Sequence, residues 1–428
     1  MKKLFLTIII FGLLFLISSY LEAAISYRSS KVFFEGKQLL VAKPDSQGRY
    51  SQASPFIIKG VTWSPETAAP DFGPNPICPN ETVEYGFFFD WAGRIPQGHE
   101  IFVYWKERQF VKHYLTDVPL MRKMNLNTVR VYSSFGDDFR EGRKVLDELF
   151  DNGIMIIMNV AMSKVDIDNQ KYLKVVEAYK DHPAILFWAI GNEWNLDYNK
   201  YWGYETVEAA AQATNQVAKA IKQVDPDHPV TSVLGDRFSD CDFEDSVSHI
   251  LDICLEIDVW GFNVYRGKSF RDFFSQVESL TERPFYISEF GTDSFRTTKF
   301  KVVDEHQADN CKGWEHEALQ AKFVLGLWRE IESNLSGIHS DKQCLGGLVH
   351  EFNDSLWKVG SYHVGLGGLV DYYSEERSSF RTYNTEGFYL PGGHPDDVAN
   401  EEYFGIVNAE RKPKEIFFKL QEYYAKLK

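Results

Sequence analysis

Two glutamates stand out for the residues around them. Glu193 is centred in Ala189-Ile190-Gly191-Asn192-Glu193-Trp194-Asn195, and Glu289 in Tyr286-Ile287-Ser288-Glu289-Phe290-Gly291. Each follows an apolar, strand-like run and precedes residues that leave a strand. Buried strands of this kind carry apolar side chains, so a carboxylate at the mouth of one needs a reason. A single one is most often half of a structural ion pair. Two can supply a proton donor and an ionised group to one bond, provided their surroundings push their pKa values apart.

The spacing ties the pair to an architecture. A (β/α)8 barrel of about 250 residues uses roughly 31 residues per strand–helix unit. The 96 residues between the glutamates are close to three such units. Apolar runs at 56–62, 127–132, 153–160, 184–190, 229–234, 257–264, 284–288 and 345–350 give eight candidate strands. Helical patterns fall between most of them: Asp117–Met124, Arg140–Asp151, Asp168–Lys180, Glu205–Val224, Phe270–Thr281 and Glu315–Ser333, with Pro413–Lys426 closing the chain. Alternating strands and helices predict a parallel sheet, and eight units favour closure into a TIM barrel, an α/β fold. Glu193 and Glu289 then end strands four and seven. An open doubly wound sheet would carry a Gly-rich phosphate turn after its first strand, and Gly60-Val61-Thr62-Trp63 is not one.

Residues 25–50 read as a short N-terminal hairpin segment and 51–428 as one barrel domain. Two long loops, Ser64–Arg108 after strand one and Lys358–Asn400 after strand eight, are rich in Pro, Gly and aromatics. Both are expected over the catalytic face, which βα-loops build.

The net charge of −15 argues against nucleic acid or an anionic membrane as partner. Residues 1–24 read as a secretory signal peptide: Lys2 and Lys3, a 14-residue apolar run from Leu4 to Ile17, then Ala23 and Ala24. The run is short for a spanning helix, so the expectation is a secreted or periplasmic protein with no stable membrane insertion. Of five cysteines, Cys254 and Cys344 lie in apolar runs and read as buried thiols, whereas Cys78, Cys241 and Cys311 lie in polar stretches and are better candidates for a bridge. Asn80 and Asn334 begin glycosylation sequons. The His residues show neither HxH nor HExxH spacing and no GxSxG elbow is present, so neither a metal site nor a serine nucleophile is expected.

A protonated carboxyl beside an ionised one is what cleavage of a glycosidic bond requires. Gly191-Asn192-Glu193 and Ser288-Glu289-Phe290-Gly291 resemble the acid/base and nucleophile motifs of clan A, the (β/α)8 retaining glycoside hydrolases, whose catalytic domains include families 2 and 5. Phe56–Val61 resembles the clan's first strand, Asn127-Thr128-Val129-Arg130 its second, Gly261-Phe262-Asn263-Val264-Tyr265 its sixth, and Tyr403–Val407 with Arg411–Lys414 its closing segment. The resemblance covers roughly residues 30–425. It implies a cofactor-free retaining hydrolase of β-linked glycans. Glu193 would be acid then base, Glu289 the nucleophile, and Asn192 the partner of the sugar 2-hydroxyl. Arg130 and Tyr265 would hold Glu289, with Asn263 beside them. A glucan-remodelling transglycosylase shares those glutamates, and a carbohydrate-binding barrel without turnover is the reading from another class.

This chain departs from the clan in two places. Phe352, or Trp357 from the loop, stands in for the Trp that many members carry after strand eight, and Asn159 stands where a His often follows strand three. Trp63, Trp91, Trp105, Trp194, Trp202 and Trp357 are candidate platforms for stacking on sugars.

Overall fold

The computed structural model describes residues 28–65, 97–355 and 403–427, apart from short breaks at 197, 200–201, 237, 239–246, 300–301, 305–306 and 309–311. The N-terminal segment is a three-stranded antiparallel sheet of β1 (Lys31–Glu35), β2 (Gln38–Ala42) and β3 (Ser54–Pro55). The eight barrel strands follow: β4 (Ile58–Thr62), β5 (Thr128–Val131), β6 (Met155–Ala161), β7 (Ile185–Ile190), β8 (Val230–Gly235), β9 (Val259–Asn263), β10 (Phe285–Phe290) and β15 (Cys344–Val349). They close in that order, with β15 pairing in parallel with both β10 and β4. The strands are apolar on both sides because one side lines the barrel and the other meets the helices. Each expected run falls within two residues of an observed strand at both ends, and Glu289 lies inside β10 rather than just after it.

The hairpin plugs the barrel where the strands begin. Val32, Leu39 and Val41 share an apolar cluster with Ile58, Met155, Leu186, Val259, Tyr286 and Leu345, all at or near strand starts. Burying each of those three hairpin side chains is worth roughly 1.5–3 kcal/mol. The other end of the barrel, where the strands finish, stays available for chemistry.

The helices are α1 (Gln97–Lys123), α2 (Phe139–Asp151), α3 (Lys164–Asp168), α4 (Lys171–Tyr179), α5 (Val207–Val224), α6 (Val247–Ile253), α7 (Phe273–Leu280), α8 (Glu317–Glu332) and α9 (Glu415–Lys426). Three depart from expectation. α1 starts twenty residues before Asp117, so the last part of the expected first long loop is helix; residues 66–96 and 358–400 lie outside the described residues. The helix expected over 168–180 is α4, and a further short helix, α3, precedes it, separated at Asn169-Gln170, where Gln170 adopts a left-handed φ of 54°. α6, ahead of the sixth barrel strand, is additional. So are two short antiparallel ribbons, β11 (Phe295–Lys299) with β14 (Lys312–Glu315) and β12 (Val302–Asp304) with β13 (Gln307–Ala308), which form an arm after β10.

Buried polar ties close the fold. Asp117 accepts hydrogen bonds from the Trp63 indole at 3.0 Å and from Arg411 Nε at 2.9 Å, joining α1, the end of β4 and the closing segment. Lys414, also buried, donates to Asp354 at 2.6 Å. Cys254 and Cys344 are buried free thiols, each pushed up to about 12 chiefly by desolvation. Cys78, Cys241 and Cys311 lie outside the described residues, as do residues 1–24 and the sequon at Asn80. Asn334 precedes Leu335 and Ser336, both buried. No helix among the described residues is long and apolar enough to cross a membrane.

Candidate active site

Strand alternation decides which side chains reach the barrel mouth. On β5, Val129 and Val131 join the cluster packed with the helices, so Thr128 and Arg130 turn inward. Tyr132, two residues beyond Arg130, follows the same side. Arg130 is wholly buried and spans three strand ends. Its Nη1 donates to Glu289 Oε1 at 2.8 Å and its Nη2 to Asn192 Oδ1 at 2.6 Å. Its guanidinium also lies 4.6 Å from the centre of the Tyr132 ring.

The Glu289 carboxylate is held at both oxygens. Oε1 accepts from Arg130 and from the Tyr132 hydroxyl at 2.6 Å. Oε2 accepts from the Tyr265 hydroxyl at 3.1 Å, and His350 Nδ1 stands 3.7 Å away. Burial is the largest influence on this group and pushes its pKa up. The charges of His350 and Arg130, with hydrogen bonds from Tyr132 and Arg130, outweigh it and leave the carboxyl below its ordinary value. Glu289 is therefore an anion held in a dry place. Tyr132 is pushed the other way, by desolvation and then by the Glu289 charge, so its phenol keeps the proton it donates.

Glu193 sits on a turn that the surrounding strands hold rigid. Gly191 has a φ of +69°, and a Cβ there would lie 2.4 Å from the Trp194 ring, so only glycine fits. Glu193 itself adopts a left-handed φ of 51°. That costs an ordinary residue on the order of 1–3 kcal/mol and persists only where neighbours over-determine it. They do so here. The Glu193 amide donates to Val233 O at 3.0 Å. Asn192 is held by Arg130 and by Asn263 Nδ2 at 3.2 Å, and the Trp194 indole donates to Ser232 at 2.9 Å. Asn195 exchanges two hydrogen bonds with the Gly235 backbone, and Asn159 Nδ2 donates to Gly191 O at 2.8 Å. Strained backbone at one carboxylate and a charged clamp on another make this mouth the candidate chemical site.

Arg130, Asn192, Asn263, Tyr265 and Glu289 thus form one hydrogen-bonded unit, with Ser288 donating to Asn263 Oδ1 at 2.7 Å. Other expected residues are elsewhere. Trp63 and Phe352 are each 0% exposed and pack in the core, so neither offers a face to a sugar. Trp194 and Trp202 are buried against each other, with ring centres 6.3 Å apart. Trp91 and Trp357, and the side chain of Trp105, lie outside the described residues.

Beyond β15, the side chain that reaches the site is His350, whose Nδ1 lies 2.9 Å from Thr62 Oγ1 and 3.3 Å from the Tyr132 hydroxyl. His350, Tyr132 and Thr62 were not among the residues singled out by sequence. Tyr132 carried a readable signal in its two-residue offset from Arg130, whereas His350 becomes a neighbour of Glu289 only once the barrel closes.

Comparison with known proteins points the same way. The sequence model of the TIM barrel domain of glycosyl hydrolases family 2 matches residues 162–331, a stretch that includes both glutamates. Solved structures with similar folds include beta-glucuronidase 2 of Bacteroides uniformis, 16% identical with a TM-score of 0.50, covering 93% of this chain and 37% of that one. The beta-D-glucuronidase of Dictyoglomus thermophilum is 14% identical with a TM-score of 0.49, covering 93% of this chain and 54% of that one. The chain therefore spans about half, or less, of the length of these structures, and at 16% identity the likeness to the Bacteroides uniformis structure is one of fold alone. No curated protein matches the sequence.

Proposed function

We propose that this protein is a retaining glycoside hydrolase that cleaves β-linked glycans by two displacements at the anomeric carbon. The observation that carries the reading is the Glu289 carboxylate, buried yet held ionised by Arg130, Tyr132 and Tyr265. In the first step a Glu289 oxygen attacks the anomeric carbon while Glu193 gives its proton to the departing glycosidic oxygen. This leaves a glycosyl ester on Glu289 and a carboxylate at Glu193. In the second step Glu193 takes a proton from water, whose oxygen attacks the anomeric carbon and frees Glu289. Oε1 is already occupied by two strong donors, so Oε2, with its single longer bond from Tyr265, is the oxygen left to react. No cofactor enters either step.

Asn192 would turn toward the sugar 2-hydroxyl, with Arg130 and Asn263 fixing its amide. The protein would act after export, with residues 1–24 removed. N-terminal sequencing of protein recovered outside the cytoplasm tests that, and an intact Met1 there would contradict it. The functional test is product analysis over a panel of β-linked polysaccharides and aryl β-glycosides. Reducing sugar released with the β configuration supports the proposal. Longer oligosaccharides from shorter ones would show transfer, and binding without products would show a lectin-like barrel.

A further inference from the structure

We propose that His350 is a positioning residue for Glu289: its imidazolium is a second cation against that carboxylate, and its Nδ1 joins Thr62, Tyr132 and Glu289 into one unit. This deepens the reading of the site given above and rests on it only for the activity assay below.

The described neighbours of Nδ1 favour a proton on that nitrogen. Among the described residues three groups lie near that nitrogen: Thr62 Oγ1 at 2.9 Å, the Tyr132 hydroxyl at 3.3 Å and Glu289 Oε2 at 3.7 Å. An ionised carboxylate only accepts. The one hydrogen of Tyr132 is spent on Glu289 Oε1, so toward His350 its oxygen also only accepts. Two of three neighbours can do nothing but accept, and the threonine hydroxyl does so as readily as it donates. A hydrogen on Nδ1 therefore suits all three of these neighbours. When Nε2 is protonated the ring is a cation in contact with an anion.

The described groups facing the ring come from several elements. Thr62 comes from the end of β4, Arg130 and Tyr132 from β5 and its exit, Tyr265 from the segment after β9, and Glu289 from β10. Phe404 of the closing segment meets the ring at 5.7 Å between centres, and buried Glu351 follows in the chain. Glu289 is the carboxylate against Nδ1 and Arg130 is the competing cation on the same carboxylate, bound at its other oxygen. A backbone contact holds His350 in register: its amide donates to Phe290 O at 2.9 Å, and Gly291 has no Cβ to displace the His350 carbonyl, which would lie 2.8 Å from one.

His350→Asn keeps an amide donor near the Nδ1 position and removes the charge. The expected result is that the acid limb of kcat/KM on an aryl β-glycoside moves up by about one pH unit, the low end for loss of an adjacent opposite charge. An unmoved acid limb in a variant that melts as a folded protein would overturn the proposal. A second measurement needs no turnover. The His350 ring is titrated by NMR in the wild-type protein and in Glu289→Gln, where linkage requires the same coupling to appear in reverse. The ring should titrate about one unit lower in the variant, and an unchanged titration would overturn the pairing even if the protein proved not to be a glycosidase. A wild-type chain inert on every aryl glycoside, with the NMR shift present, would contradict the functional reading alone.

Discussion

Replacing Arg130 by Met takes away the one wholly buried cation that touches Glu289, Asn192 and the Tyr132 ring together. The side chain volume is nearly kept, so the main loss is electrostatic. Glu289, with its side chain 8% exposed, would keep two hydroxyl donors and His350 but lose its nearest cation. Stranding one member of a buried ion pair costs about 3–5 kcal/mol. For domains of about 150–250 residues each kcal/mol shifts the melting temperature by about 2–4 °C, and in this larger chain by roughly half as much, so a drop of about 3–10 °C is expected at pH 7.

The sign of the pH dependence follows. In the wild type the Glu289 pKa is depressed, so the carboxylate adds stability above its unfolded pKa, and that stability is lost as the pH falls through the folded value. In Arg130→Met the depression is lessened, with only His350 and the tyrosine hydroxyls left to oppose burial. The wild-type advantage should therefore be largest near neutrality and shrink toward pH 4. Differential scanning calorimetry at pH 7 and pH 4 measures this, and Arg130→Met/Glu289→Gln should recover much of the loss because it removes the stranded charge. A melting temperature within about 1 °C of wild type at pH 7 would refute the reasoning, since in a chain of this size the loss of even one kcal/mol gives about that much. A deficit equal at both pH values would refute it too.

Other substitutions separate the roles of the site. Glu289→Ala should abolish turnover of an aryl β-glycoside, and added azide should restore some, giving an α-glycosyl azide detectable by NMR; full activity without azide would remove Glu289 from the mechanism. Glu193→Ala should slow substrates with poor leaving groups by about 10²–10⁴, the usual span of general acid catalysis, while sparing the first step on activated dinitrophenyl glycosides. Equal losses on both, measured under single turnover, would contradict an acid role. Tyr265→Phe removes one hydrogen bond to a charged oxygen, worth about 1.5–3 kcal/mol, and should lower kcat/KM by about 10–100-fold.

The barrel was legible because its strands are short apolar runs at regular intervals, and closure into eight units turned a spacing of 96 residues into strands four and seven. Arg130, Asn192, Tyr265 and Glu289 were legible as parts of short motifs at strand ends, and they meet as one unit. The early turns of α1 were not. His99, Lys106, Glu107 and Arg108 interrupt its aromatic residues and leave no single apolar stripe. The arm after β10 was equally hidden, since Arg296, Thr297, Thr298 and Lys299 show no apolar alternation and pair through backbone hydrogen bonds. Trp63 and Phe352 misled because an aromatic residue near a strand end serves packing as readily as sugar binding. His350 depends on three other strands for its meaning, and contacts at sequence separations of 61 to 288 residues leave no local pattern.

The most direct test of the double displacement is to trap its intermediate. The protein is incubated with a 2-deoxy-2-fluoro β-glycoside bearing a good leaving group, of the sugar that the panel identifies, then digested and analysed by mass spectrometry. The account predicts one glycosyl adduct, carried by Glu289 and absent from Glu289→Gln. A label on Glu193, or turnover giving α-configured product with no adduct, would contradict it.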